Sequence, residues 1–158
     1  MNKIKWLILF LSVFAVLGYC REFFFVHLNI IMFEKYYGSV SPVHPPAIMD
    51  VFRTFSYTTL YYSKYIYTVI WLLLFFAANY FALKKLTAIP YFIKILFYSY
   101  SIMLLLAAGS MLYGYFAKGQ LQDNEYTLSR WLMGIAQSPI ICLILVASEK
   151  LYIKSFPS

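Results

Sequence analysis

Residues 65–83 read YIYTVIWLLLFFAANYFAL, a run without a charge, closed by Lys64 on one side and by Lys84 and Lys85 on the other. A helix rises about 1.5 Å per residue and needs about 20 apolar residues to cross the hydrocarbon of a bilayer, which this run supplies. Comparable runs lie on both sides of it. Residues 6–19 continue through 23–33, residues 91–116 are interrupted only by Lys94, and residues 131–148 complete the set. The expected fold is therefore all-α: a polytopic four-transmembrane-helix bundle with spans near 6–32, 64–83, 91–116 and 129–148. An extracytoplasmic connection with an interfacial segment occupies 34–63.

Composition points the same way. Of 158 residues, 63% are hydrophobic and only 12% charged, and 16 Tyr, 15 Phe and 3 Trp bring aromatics to 22%. A lipid-free domain of this length would have almost no polar surface with which to cover four such runs. Disorder and a nucleic-acid-binding role are excluded. The net charge of +7 is spread through apolar runs, so anionic lipid headgroups are its natural counter-charge. Lys3 and Lys5 ahead of the first run imitate a signal peptide, but no small-x-small exit follows, and the segment is read as retained. Cys20 and Cys142 form no short-spaced pair, so neither a zinc site nor a disulfide framework is expected.

Flanking charge orients the spans. With a cytoplasmic amino terminus, Lys3, Lys5, Lys84, Lys85, Lys94, Lys150 and Lys154 lie inside with Glu149. Lys35, Arg53, Lys64, Lys118 and Arg130 lie outside, near Arg21, with Glu22, Glu34, Asp50, Asp123 and Glu125. Both termini are expected in the cytoplasm. Gly38, Ser39, Pro42, Pro45 and Pro46 stop the first helix, and Asp50 is expected to cap an interfacial segment at 51–62 whose tyrosines sit at headgroup depth. Pro90 suits the first turn of the third helix, and Lys94 can snorkel from it. Asp123 and Glu125 favour the positive end of the fourth helix. Pro139 predicts a kink near Ser138, its freed carbonyl satisfied by Gln137 or by a neighbouring helix. Gly134 with Ser138, Ala78 with Ala82, and Ser110 with Gly114 have the spacing of close helix packing.

Polar chemistry enters the apolar pattern at Arg21 and Glu22. Arg21 stands fifteen residues beyond Trp6, about 22 Å of helical rise, close to the outer boundary. An interface-positioning pair, a lateral partner site and a catalytic role are the three readings weighed there. Cys20 and His27 are seven residues apart, about 10 Å along a continuous helix, so a thiol centre built from Cys20, Arg21 and His27 requires a break near Arg21. Cys142 sits in an aliphatic run and reads as a small hydrophobe. Arg130 and Gln137 share a helical face, and Glu22 is a candidate partner for Arg130. His27 and His44 specify no metal, and no cofactor motif appears.

The charged and aromatic segment Arg21-Glu22-Phe23-Phe24-Phe25 leads to Phe33, Tyr36 and Tyr37, Phe52-Arg53 precedes the second span, and Arg130 precedes Gln137-Ser138-Pro139 in the last. In this layout the chain resembles the small multi-spanning proteins associated with exosortase F in Bacteroidota. An aromatic-Asp-Pro stretch after the first span and an arginine pair at the last are absent. The resemblance implies a non-catalytic accessory subunit of an inner-membrane complex in protein sorting or surface export. Its partner would be another integral membrane protein, or anionic lipid headgroups, met at Arg21, Glu22, Arg53, Lys64, Arg130 and Gln137. The alternatives are a membrane thiol transpeptidase-like enzyme using Cys20, and an anionic-lipid or small-substrate binding or transport protein.

Overall fold

The computed structural model describes residues 3–38, 43–118 and 127–155, and the described chain is helical without strands. Helix α1 spans Lys3–Tyr37, followed by a short 3-10 helix Ala47–Thr54, then α2 (Tyr57–Leu86), α3 (Tyr91–Lys118), α4 (Thr127–Ala136) and α5 (Ile140–Ser155). Three helices, α1 to α3, are long and apolar enough to cross a membrane. The pair α4 and α5 passes the same test together, bent by 61° at the break between them. Outward-facing residues are apolar as well, with Leu73 59%, Leu105 72% and Ile144 58% exposed. Helices apolar on every side need lipid outside and protein inside.

Local chemistry sets the helix ends. Gly38, at φ 64°, closes α1 in the left-handed conformation that glycine adopts without a Cβ clash, and its N–H donates to the Glu34 carbonyl at 3.0 Å. The short helix between the first two long helices is Ala47–Thr54, where a segment at 51–62 was expected. Pro46, extended at φ −61° and ψ 152°, starts it, which leaves Asp50 inside the helix and not at its cap. Ser56 takes the capping role instead, its Oγ accepting the Thr59 N–H at 3.2 Å, so Tyr57, Tyr61 and Tyr62 form the first turns of α2. Ser39, Pro42, Asp123 and Glu125 lie outside the described residues.

The chain divides into two compact units, and α1 and α2 contribute to both. In the unit Ala15–Trp71, Leu28, Ile31 and Met32 of α1 pack with Met49 and with Leu60 of α2, ringed by Phe24, Phe52, Tyr57, Tyr61 and Tyr67.

The other unit comprises Met1–Phe14 and Leu72–Ser158. Phe14 stacks on Phe75 with ring centroids 6.3 Å apart, and α3 packs against α4 and α5. The Lys85 ammonium lies 5.6 Å from the Trp6 ring centroid, and Glu149 of α5 bonds the backbone of the α2–α3 turn. The start of α1, that turn and the end of α5 thus share one end of the unit. Since α3 leads away from the turn and α5 returns to it, α4 and α5 traverse the unit as one broken span and not as a re-entrant hairpin. Ala82 is fully buried, as close packing requires, but a Cβ placed on Gly134 would meet nothing within 4 Å. Gly134 and Ser138 therefore do not draw two backbones together.

Candidate functional site

Within Ala15–Trp71, the chain returning from α1 is tied back to it by charge. Arg53 Nη2 donates to Glu34 Oε2 at 3.2 Å and its Nε to Asp50 Oδ1 at 3.3 Å, while Lys35 Nζ donates to the Arg53 carbonyl at 2.8 Å. Lys64 Nζ donates to Asn29 Oδ1 at 2.9 Å, joining α2 to α1. Two of the expected interface residues, Arg53 and Lys64, thus hold this unit together.

Below that polar layer, Tyr19, Cys20, Phe23 and Phe24 of α1, Ile48, Met49 and Phe52 of the 3-10 helix, and Trp71 of α2 line an apolar groove of about 370 Å³. Arg21 is not among its walls. Its Nε is buried without a hydrogen-bond partner, and its guanidinium carbon sits 5.9 Å from the Phe25 ring centroid. Glu22, the next residue, is exposed.

Because α1 is unbroken from Lys3 to Tyr37, Cys20 and His27 stay about 10 Å apart along its axis. His27 Nδ1 is within 2.7 Å of the Phe23 carbonyl, which assigns that nitrogen's proton to its own helix. The helix break on which a Cys20, Arg21 and His27 centre depended is therefore absent. Cys20 is exposed in the groove wall, and Cys142 is buried in the other unit.

That other unit holds a polar node that sequence reasoning missed. Pro139 supplies no N–H and breaks the last span, leaving carbonyls without helical donors. Asn79 of α2, fully buried, shares the two N–H groups of its Nδ2 among the Phe75 carbonyl at 2.9 Å, Tyr100 Oη at 3.0 Å and the Ser138 carbonyl at 3.2 Å. Tyr100 of α3 in turn donates to the Ala136 carbonyl at 2.6 Å. Ser138 Oγ donates to the Ile135 carbonyl at 2.7 Å. Neighbouring helices thus satisfy the broken one. The break also separates the expected polar line: Arg130 is exposed on α4, whereas Gln137 has left the helix and is buried in the turn.

Glu149, only 3% exposed, accepts from the Ala88 N–H at 2.6 Å and the Ile89 N–H at 3.0 Å through the same oxygen. A single acid in a basic segment gave no signal of this role beyond its sign, which suits amides at the start of a helix. Among the described residues, no group of His, Cys, Asp and Glu is arranged to hold a metal ion. Comparison of the chain with protein-family models, with curated proteins and with solved structures returns no match in any of the three.

Proposed function

We propose that the chain is a non-catalytic accessory subunit that binds and organises another integral membrane protein, in a bacterial inner-membrane complex for protein sorting or surface export. The observation that carries the reading is the aromatic groove beside the charge-stapled 3-10 helix. Open apolar volume walled by Phe23, Phe24, Phe52 and Trp71 offers contact area to an apolar side chain or helix of a partner. The layout resemblance to exosortase F-associated proteins supports the pathway, and the basic inner loop supports cytoplasmic termini.

Anionic-lipid binding is the weaker reading, because Arg53 is already engaged by Glu34 and Asp50, and Lys64 by Asn29. A thiol enzyme is weaker still, given the axial separation of Cys20 and His27. Affinity capture of the intact chain in mild detergent should recover a membrane protein partner. Phe23→Ala with Trp71→Ala, which strips two aromatic walls from the groove, should lose it. Retention of every partner by that double variant, with the fold intact by circular dichroism, contradicts the groove as the partner surface.

A further inference from the structure

In the unit of Met1–Phe14 and Leu72–Ser158, one end gathers the start of α1, the α2–α3 turn and the end of α5, and there Lys3, Lys5, Lys84, Lys85, Lys94 and Lys150 are all exposed. Glu149 is the only acid among the described residues of that unit, and its buried carboxylate is spent on the Ala88 and Ile89 N–H groups. The lysine charge is therefore uncompensated from within, unlike that of Arg53, which two acids hold. Lys85 is oriented instead by an indole: its ammonium lies 5.6 Å from the centroid of Trp6, a ring that itself stacks on Phe10. Such a contact fixes the ammonium group while leaving its N–H donors for an anion.

An apolar furrow begins at the same place. Leu7, Phe10 and Phe14 of α1, Leu86 of α2 and Leu143 of α5 line it, and it encloses only about 10 Å³, so it is a crease in the surface and not a cavity. Lys3 stands four, seven and eleven residues before Leu7, Phe10 and Phe14, which puts it at the head of the same helical face, and Lys85 immediately precedes Leu86. Leu7 and Phe10 are only half-buried, so the furrow stays open along α1. Cationic groups heading an open apolar crease match an amphiphile with an anionic head. A free phosphate or an acidic peptide would meet the lysines and leave the crease uncovered.

We propose that this end of the chain binds an anionic phospholipid, its phosphate on Lys3 and Lys85 beside Trp6 and one acyl chain lying along the furrow of α1, α2 and α5. The site lies in a different unit from the aromatic groove and does not rest on the accessory role.

Quenching of tryptophan by brominated lipids tests the site in the full-length chain. Trp71→Phe with Trp131→Phe leaves Trp6 as the single tryptophan. Brominated phosphatidylglycerol in phosphatidylcholine vesicles should then quench Trp6 with a relative affinity at least about threefold above that of brominated phosphatidylcholine. Lys3→Gln with Lys85→Gln should abolish the preference, whereas Lys3→Arg with Lys85→Arg should keep it. Equal quenching by the two lipids, or a preference that survives the glutamine variant, overturns the proposal. Inorganic phosphate added at constant ionic strength should leave the quenching unchanged; relief by it would assign the lysines to a free anion and overturn the lipid site. Native mass spectrometry of the unmodified chain from mixed micelles provides a readout with every tryptophan in place: preferential retention of phosphatidylglycerol supports the site, and indifference overturns it. Absence of lipid preference together with loss of a membrane protein partner from the glutamine variant would assign the lysines to an acidic segment of that partner instead.

Discussion

Asn79 of α2 donates a hydrogen bond to the carbonyl of Ser138, in the break between α4 and α5, at 3.2 Å. With the Tyr100 hydroxyl on Ala136, it turns an interrupted span from a liability in lipid into a cross-braced element. Asn79→Leu keeps the side-chain volume close but leaves the Ser138 carbonyl without its donor. It should lower stability in mixed-micelle unfolding by about 1–2 kcal/mol, and Tyr100→Phe by about 0.5–1.5 kcal/mol.

The brace, and not the proline alone, should hold the bend. Spin labels placed on Trp131 and Ile144, both exposed on the two half-helices, report their separation. Pro139→Ala should leave that distance unchanged, whereas Asn79→Leu should broaden or lengthen it.

Glu149 binds the last helix to the turn between α2 and α3 through two backbone N–H groups. Glu149→Ala orphans both donors, and should cost about 1.5–3 kcal/mol with amide exchange at Ala88 and Ile89 raised at least about tenfold. Glu149→Gln keeps an acceptor, and its effect should be the smaller of the two.

How much of this was legible in advance depended on whether a residue's role was local. The helices follow from apolar runs, and the break follows from Pro139, because both are properties of a few consecutive residues. Asn79 and Tyr100 were silent because one amide or hydroxyl in a greasy run looks the same whether it faces lipid or a broken helix. Glu149 was counted only among the charges that flank the spans on the inner side, since only the folded chain brings residues 88 and 89 to it. The 3-10 helix was misplaced for a local reason: Pro46 sets the start of the segment, and that constraint outweighs the capping preference of Asp50. Arg53 was read as available to a partner, but its acid partner Glu34 lies on α1, nineteen residues earlier.

Arg53 and Glu34 should show modest coupling. Arg53 keeps 42% of its side chain exposed, so a double-mutant cycle with Glu34 should give about 0.2–1 kcal/mol, diminishing as salt is raised.

The two cysteines should react unequally. Cys20 is exposed in the groove wall and Cys142 is buried. A lipophilic maleimide should label Cys20 in the folded protein and reach Cys142 only after unfolding; equal labelling before unfolding would refute the packing around α5.

The central claim is that four spans, the last one broken, bring the end of α5 back to the side on which α1 begins. Single cysteines at Lys3, Thr87, Lys150 and Tyr113, each introduced on a Cys20→Ser, Cys142→Ser background, can be probed in sealed vesicles with a membrane-impermeant thiol reagent. Labelling of positions 3, 87 and 150 from one side and of 113, toward the far end of α3, from the other is the predicted result, and labelling of 150 together with 113 would contradict it.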